Sequence, residues 1–313
     1  MRNDFLEIHI TPSEDSLSVK QLLRQKLRFS AHQVSRIKYR PEGITVNGAP
    51  VWVNAVLRAG DVLRLRLDDA EENDADHAAA PSALIPSVPI LYEDDFLLIA
   101  DKPAGMVSHP SHGHHGDSAL DILSASRGRL YLIGRLDKDT SGVLLFAKHM
   151  ETAALLSRWK KADHAMSGAA QPSIRKEYIA RICGRINPPE GTIDTPIGIA
   201  QEFPLKMQTD PLRGKPAATH YRTVRTGTDK NGEDYSILSV QIDHGRTHQI
   251  RVHLSSVGHP LAGDALYGQA QTMPESADSG SRFPGACLHA ASVTLTHPYT
   301  GKTITVRAAE PGW

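Results

Sequence analysis

One segment divides the chain into two parts that are expected to fold separately. Residues 67–87, LDDAEENDADHAAAPSALIPS, are acidic, rich in alanine and interrupted by Pro81 and Pro86, without helical or strand periodicity. This composition is typical of a linker. A chain of 313 residues also suits roughly two domains of about 100–200 residues each. The sequence therefore predicts a small domain at 1–67, a linker at 68–87 and a larger domain at 88–313.

The net charge of zero hides an uneven distribution of charged residues along the chain. Residues 1–67 contain 11 Lys or Arg against 6 Asp or Glu, residues 68–87 contain 6 acids and no Lys or Arg, and residues 88–313 contain 24 against 23. A clustered basic surface attracts polyanions by its field and by counterion release. The N-terminal part could therefore bind nucleic acid, although an excess of this size also occurs on ordinary solvated surfaces.

Other features of the sequence argue against membrane, secreted and cysteine-rich classes. No run approaches the ~18 consecutive apolar residues of a membrane helix, and the N-terminus MRNDFLEIHI lacks the apolar core of a signal peptide. Cys183 and Cys287 are too few for a disulfide scaffold or a Cys-rich zinc site. We therefore expect a cytoplasmic protein without membrane contact.

The first 67 residues contain the patterns of two short helices and a small layer of strands. Apolar residues on one face predict a helix over Ser18–Leu27, and Ser30 with Gln33 forms a capping-box pattern for a second helix. The segment ITVNGAPVWV predicts two strands joined by an Asn47-Gly48 turn. The alternating segment GDVLRLRL predicts a further half-exposed strand.

The body of the chain contains many strand patterns and few helix patterns. Helices are predicted at 118–127 and 150–161, a flexible insertion at 162–173, and strands at 176–186, 218–227, 235–243 and 291–298. Few helices are left to cross over between parallel strands. The pattern therefore predicts an α+β fold with a mixed, largely antiparallel sheet.

The segment IGRLDKDTSGVLLFAK, residues 133–148, places one carboxylate just before a buried strand. Asp137 follows Arg135 by two positions and precedes a turn at Thr140-Ser141-Gly142. An ionised aspartate is a poor general acid but a usable nucleophile or electrostatic stabiliser. The alternative is a structural Arg–Asp pair that holds the turn, with the hydroxyl groups capping backbone atoms.

A second segment, DHGRTHQIRVHLSSVGHPLAGDALYG at 243–268, alternates polar and apolar residues between Gln249 and Leu254. The alternation predicts a strand with Arg251 and His253 on one face. A cationic face suits a phosphate or a carboxylate. Metal binding is the competing use of its histidines and of a third segment, the histidine-rich loop His109–His115, but neither segment completes a recognisable ligand spacing.

Four segments occur in the order known from pseudouridine synthases of the RluA type, which convert uridine to pseudouridine in RNA. They are LYEDDFLLIADKPAGMVSHP, GRLDKDTSGVLLFAK, KEYIARICG and GRTHQIRVHLSSVGHPLAGDALYG, and the resemblance covers residues 88–313. Residues 1–67 resemble the alpha-L RNA-binding domain. The resemblance implies an RNA uridine isomerase with an N-terminal RNA-binding domain. No Gly-rich phosphate loop is present, and we expect neither a cofactor nor a metal.

The resemblance also implies roles for individual residues. Asp137 corresponds to the catalytic nucleophile, Tyr178 to a tyrosine that stacks on the base, and Arg251 to an arginine that pairs with the catalytic carboxylate. Arg135 corresponds to the arginine that fills the gap left by the flipped uridine. Further candidate RNA-binding residues in the matching segments are Thr140, Arg246 and His248.

The sequence departs from the RluA pattern at Gly134, where such synthases usually carry histidine. Glycine at this position is similar to the RsuA-type branch, which modifies ribosomal RNA. We expect a monomer that acts on 23S ribosomal RNA, with tRNA as the alternative. Rival hypotheses are a non-catalytic RNA-binding or ribosome-assembly factor and an aspartate-dependent glycosidic hydrolase. The hydrolase would need a second carboxylate, for which Asp139 and Asp264 are the candidates.

Overall fold

The computed structural model describes residues 4–67, 87–111, 116–162, 173–200, 206–268, 283 and 285–313. Of the predicted linker at 68–87, only Ser87 lies within the described residues. Of the predicted insertion at 162–173, only the two end residues do. In the histidine-rich loop, residues 112–115 also lie outside them. None of the helices in these ranges is long and apolar enough to cross a membrane.

Residues 4–67 form an antiparallel sheet of four strands with two helices. The sheet has the order β1-β4-β2-β3. Its elements are β1 (Phe5–His9), α1 (Val19–Gln25), α2 (Ala31–Lys38), β2 (Ile44–Val46), β3 (Ala49–Pro50) and β4 (Val62–Arg66). The two helices, the β2–β3 hairpin and β4 agree with the sequence patterns, whereas β1 was not predicted.

Local sequence explains these N-terminal elements. Ser18 and Ser30 cap their helices in reciprocal capping boxes with the glutamine three positions on. Asn47 and Gly48 both adopt positive φ, as a two-residue hairpin turn between twisted strands requires. In β4, Leu63 and Leu65 are fully buried while Arg64 is exposed.

The remaining residues form a ten-stranded sheet with three helices. The main path has the strand order β10-β13-β14-β9-β15-β8-β6-β5, with β16 paired to β15 and β7 to β8. The elements are β5 (Ile90–Glu93), β6 (Leu97–Lys102), α3 (Ala119–Arg127), β7 (Tyr131–Leu132), β8 (Ser141–Ala147), α4 (Met150–Ala162), β9 (Ile174–Cys183), β10 (Glu190–Asp194), β11 (Ile197–Ile199), β12 (Met207–Thr209), β13 (Ala218–Thr228), β14 (Asp234–Ile242), α5 (Gln249–Ser256), β15 (Leu288–Thr296) and β16 (Thr303–Arg307). Strands β11 and β12 form a separate two-stranded sheet.

Strand β8 shows how the large sheet builds a core on each of its faces. Leu144 and Phe146 belong to one cluster of buried residues, and Val143 and Leu145 belong to the cluster on the opposite face. Because alternate residues of a strand point to opposite faces, a continuous apolar run indicates burial on both sides. The β8–β15 pair is parallel, and the other pairs among the described strands are antiparallel. The predicted α+β fold with a mixed, largely antiparallel sheet is therefore confirmed.

The strand predicted over Gln249–Leu254 is wrong, because these residues form helix α5. Arg251 and His253 point to different partners, Arg251 to Asp264 and His253 to Thr219 and Thr195. All six residues of the alternating run are buried. The polar side chains therefore face internal polar groups rather than solvent, and their alternation does not mark a solvent-exposed face.

A buried carboxylate on α4 joins the N-terminal part to the large sheet. Glu151 is fully buried and accepts hydrogen bonds from Arg36 Nε at 3.0 Å and Nη2 at 2.7 Å, while Arg40 Nη2 lies 3.3 Å away. Gln33 Nε2 also donates to the Glu151 carbonyl oxygen at 3.1 Å. One turn further along α4, Leu155 packs into the N-terminal core. Charge pairing and apolar packing thus hold the two parts together.

Replacing Glu151 tests the importance of this contact. We expect Glu151→Gln to lower the free energy of unfolding by about 3 kcal/mol, because removing one partner of a buried ion pair leaves the other charges uncompensated. The control is Glu7→Gln, which breaks an exposed pair with Arg64 at 3.7 Å and should change stability by less than about 1 kcal/mol. Urea unfolding of both variants measures the difference, and equal effects would contradict the expectation.

Candidate active site

A cavity of about 440 Å³ lies beside the loop that precedes β8. Most of its wall comes from three segments: the loop at 133–140, the start of β9, and the chain from the end of β14 into α5. Lys160 of α4 and Leu288 of β15 complete it. Six of the seven residues predicted from sequence line it, namely Arg135, Asp137, Thr140, Tyr178, Arg246 and His248. The seventh, Arg251, lies behind the wall beside Asp137. The structure therefore brings together residues from three distant parts of the chain.

Asp137 occupies a loop that is held from both sides by the segment after β6. The Ser108 hydroxyl donates to the Leu136 carbonyl at 2.7 Å and accepts from the Leu136 N–H at 3.0 Å. On the other side of Asp137, the Gly105 N–H donates to the Lys138 carbonyl at 2.9 Å. Thr140 N–H closes the turn on the Asp137 carbonyl at 3.1 Å. The backbone on both sides of the carboxylate is thus fixed by hydrogen bonds.

A fully buried lysine, Lys102, completes this support. Its Nζ donates to the carbonyl oxygens of Pro103 at 2.9 Å, Met106 at 2.6 Å and Lys138 at 3.0 Å. Burial lowers the pKa of Lys102 to about 8, and the negative charges of Asp139 and Asp137 oppose the shift. The ammonium group therefore ties the turn after β6 to the Asp137 loop.

Arg251 connects the Asp137 carboxylate to a second, deeply buried carboxylate. Its Nε and Nη2 donate to the two oxygens of Asp264 at 2.8 and 2.7 Å, which is bidentate geometry. The remaining Nη1 lies 3.8 Å from Asp137 Oδ2. Burial lowers the pKa of Arg251, but the hydrogen bonds and charge of Asp264 outweigh it, so the net shift is upward. The guanidinium group consequently presents a fixed positive charge to Asp137.

Tyr178 and Lys176 project from the same face of β9 onto the cavity wall. Burial, with a further contribution from the Asp137 charge, raises the pKa of Tyr178. Its hydroxyl group is therefore neutral at physiological pH, and it has no hydrogen-bond partner within the described residues. Lys176 Nζ donates to the Val143 carbonyl at 2.9 Å, and burial lowers its pKa to about 7.

The last wall of the cavity is shaped by the turn into α5. His248, with φ of +55°, is the residue before the helix, and its Nδ1 lies 3.0 Å from the Tyr267 hydroxyl. Burial lowers the pKa of His248, opposed by the charge of Asp137. Arg246 Nε donates to the Pro216 carbonyl at 2.9 Å. Arg135, in contrast, is exposed and hydrogen-bonded to none of the described residues.

Several residues of the site were not singled out from the sequence. They are Lys102, Lys176 and Tyr267, whereas Asp264 was named only as a possible second carboxylate of a hydrolase. Each of these residues belongs to a segment quoted for the family resemblance. The resemblance of those segments was therefore the signal that could have identified them. The described residues contain no group of three or more His, Cys, Asp or Glu side chains placed to hold a metal ion.

Comparisons with known proteins agree with this geometry. The sequence model of the family described as "RNA pseudouridylate synthase" matches residues 96–256, about half of the chain. "Ribosomal large subunit pseudouridine synthase D" of Nitrosomonas europaea is 36% identical over 267 residues, which are 83% of this chain and 72% of the relative. "Uncharacterized RNA pseudouridine synthase YhcT" of Bacillus subtilis is 31% identical over 98% of this chain and 94% of its own length.

A solved structure shows the same fold. "Human RNA Pseudouridylate Synthase Domain Containing 1" aligns with a TM-score of 0.58 at 24% identity and covers 74% of this chain and 86% of its own. The sequence matches show that the chain belongs to the RNA pseudouridylate synthase family. It is an enzyme that isomerises uridine to pseudouridine in RNA, and the resemblance to RluA-type synthases is confirmed.

The depressed pKa of Lys176 predicts a pH-dependent difference in stability. The folded state loses this proton near pH 7, whereas the unfolded chain keeps it until about pH 10.5. Between these values the unfolded state binds more protons, so stability rises with pH. We expect the free energy of unfolding of the wild type to rise with pH relative to Lys176→Met across this window. Urea unfolding at several pH values measures it, with Lys230→Met as control, and a constant difference would contradict the assignment.

Proposed function

We propose that this enzyme modifies uridines of 23S ribosomal RNA and that Asp137 is its catalytic nucleophile. The observation that carries the proposal is the position of Asp137, whose side chain opens onto the same cavity as Tyr178 and lies 3.8 Å from Arg251. The printed name of the relative from Nitrosomonas europaea supports ribosomal RNA as the substrate. A synthase for tRNA is the alternative.

The reaction requires cleavage of the N-glycosidic bond, rotation of the base and a new bond through carbon 5. In our proposal the Asp137 carboxylate, oriented by Arg251, attacks as the nucleophile while the glycosidic bond to the base nitrogen breaks, and it is released when carbon 5 forms the new bond. Tyr178 stacks on the base and, as a neutral phenol, relays the proton that leaves carbon 5. A partly buried site also strengthens the interaction of the carboxylate with developing positive charge, because the local dielectric is low.

The remaining predicted residues are proposed to receive the RNA. Arg135 is exposed and without a hydrogen-bond partner among the described residues, so it is available to replace the flipped uridine in the stack. Arg246 and His248 line the cavity and are proposed to contact the RNA backbone. Thr140 is 2% exposed, and its role is best explained by its N–H, which closes the Asp137 turn.

Two rival functions are less well supported. A non-catalytic RNA-binding or ribosome-assembly factor would have no need of a carboxylate fixed at the wall of a cavity. A glycosidic hydrolase would need a second carboxylate as acid. Of the two candidates, Asp139 does not line the cavity, and Asp264 has both oxygens bonded to Arg251.

We propose that residues 1–67 form a domain that anchors the RNA. In this proposal, residues 68–87 link it to the catalytic domain at 88–313. The protein is proposed to act as a monomer in the cytoplasm. Basic side chains on the surface of the N-terminal part support an RNA-binding role. Lys20 is exposed, and the Lys38 Nζ lies 4.5 Å from the centre of the exposed Tyr39 ring. A cation beside an exposed aromatic ring suits contact with both phosphate and base.

Replacing the proposed nucleophile tests its role in catalysis. We expect Asp137→Asn to lower tritium release from 23S ribosomal RNA labelled at carbon 5 of uracil by at least about 1,000-fold, because a group that forms the reaction intermediate is lost. RNA affinity should stay within about threefold. The matched control is Asp139→Asn, two residues away and outside the cavity. Undiminished release from Asp137→Asn would refute the nucleophile assignment.

Mapping of pseudouridines identifies the substrate. In a strain that lacks this protein, we expect one or more pseudouridines to disappear from 23S ribosomal RNA. Loss from tRNA alone would instead support the alternative substrate.

The N-terminal anchor can be tested in the full chain. We expect Lys20→Gln/Lys38→Gln to weaken RNA binding and to reduce the slope of log affinity against log salt by about 2, because each phosphate contact releases about one counterion. Removal of the whole N-terminal part would expose Glu151 and Leu155, so point variants give a cleaner result. Filter binding at salt concentrations from about 50 to 200 mM measures the slope of log affinity against log salt. The control is Lys302→Gln on the turn before β16, and an unchanged slope in the double variant would contradict the proposal.

A further inference from the structure

A lysine from α4 occupies the space that the missing side chain at Gly134 leaves open. Gly134 has φ of +82°, and a Cβ atom at this position would overlap the Lys160 Nζ and lie 3.3 Å from its Cε. On the other side, a Cβ atom on Gly245 would lie 3.6 Å from the same Nζ. The ammonium group therefore passes between two glycines, one from each wall of the cavity, and lines the cavity itself.

The surroundings of Lys160 are cationic. Burial lowers its pKa, and the neighbouring charge of Arg135 lowers it further. The charge of Lys160 in turn contributes to the lowered pKa of Lys176. Within the described part of the chain, Lys160 has neither a salt-bridge nor a hydrogen-bond partner. Three basic side chains, Arg135, Lys160 and Lys176, thus line the cavity, and the carboxylate of Asp137 is already oriented toward Arg251.

A partly desolvated cation without an anionic partner is unfavourable by itself. An anion that enters the cavity removes the penalty and gains charge-assisted hydrogen bonds. In an RNA substrate the anions are the backbone phosphates. A lysine ammonium is a compact charge with three donors, which suits a phosphate whose orientation is not restricted to one plane.

We propose that Lys160 is a substrate-positioning residue that binds the backbone phosphate of the target nucleotide inside the cavity, reaching it through the gap between Gly134 and Gly245. The inference rests on the proposed function only in taking RNA as the occupant. Arg135 and Lys176 line the same cavity. Asp137 opens onto the same cavity, so a phosphate held here places the attached ribose near the carboxylate.

The proposal gives Gly134 a physical role. The histidine expected at this position from the family resemblance would take the space of the Lys160 ammonium group. A side chain at position 134 and the Lys160 ammonium group in its present position therefore compete for the same space, so a residue larger than glycine would displace the ammonium group. Since φ is also positive at Gly134, any other residue would be strained as well as crowded.

The first experiment compares Lys160→Met with Lys230→Met. Lys230 lies in the exposed hairpin between β13 and β14, at the end of β14 that is remote from the cavity. With 23S ribosomal RNA transcript as substrate, we expect Lys160→Met to raise KM and the dissociation constant about tenfold and to reduce the salt slope by about 1, as the loss of one phosphate contact should. The value of kcat should stay within about twofold, because the contact is made equally in the ground state and the transition state. Lys230→Met should match the wild type.

A loss of kcat at unchanged KM and salt slope would overturn the proposal, as would equal behaviour of the two lysine variants. Binding and its salt dependence need no turnover, so they decide the role of Lys160 even if the transcript is not converted. Absence of pseudouridine formation by the wild type on both ribosomal RNA and tRNA would instead refute the proposed function. The two failures are therefore distinguishable.

The second experiment tests whether Gly134 and Lys160 act as a pair. Gly134→Ala should displace the ammonium group and raise KM about as much as Lys160→Met does, whereas in the Lys160→Met background the same change should have less than about a twofold further effect. Thermal unfolding of each variant separates this result from a loss of fold. Multiplication of the two single effects in the double variant would show that the residues act independently and would overturn the pairing.

Discussion

The buried ion pair between Arg251 and Asp264 is the interaction on which the geometry of the site depends. Removing two charges from water is costly, and the cost is offset only where the geometry is good and the remaining oxygen sites are satisfied. Both conditions hold here, because the pair is bidentate and Asp264 also accepts the N–H groups of Leu266 and Tyr267 at 3.0 and 3.1 Å. With two of its nitrogens engaged, Arg251 has one edge left, and that edge faces Asp137. Helix α5 and the loop before β8 are thereby held in a fixed relation.

Much of the fold could be predicted because local sequence and tertiary packing agree. Alternation identified β4, the apolar run identified β8, an apolar face identified α1, and the Ser30–Gln33 capping pattern identified α2. The prediction for α5 was wrong because every residue from Gln249 to Leu254 is buried. Hydrophobic periodicity identifies a helix only where one face contacts the core and the opposite face contacts water. Helix α5 is buried over these residues, so its sequence lacks that periodicity. Strand β1 was missed since FLEIH is short and lies outside the quoted patterns.

The site was predicted less evenly than the fold. Asp137, Tyr178 and Arg251 were identified from the segments shared with a known family, and the structure places them around or beside one cavity. Lys102 and Lys160 were not identified, because lysine is almost always exposed and nothing in the local sequence shows that an ammonium group is buried. Their positions depend on carbonyl groups and glycines that come from distant segments. Only the folded chain brings these groups together.

Helix α4 has contacts of different kinds at its two ends. Glu151 in the first turn forms ion pairs with Arg36 and Arg40 of the N-terminal part, and Lys160 near the last turn lines the cavity. They are nine positions apart, which corresponds to about 14 Å along a helix axis at 1.5 Å per residue. Because an α-helix of this length is stiff, it fixes the distance between Glu151 and Lys160. Under the proposed function, an RNA that contacts both parts would be selected by the spacing of its structural features as well as by the base that enters the cavity.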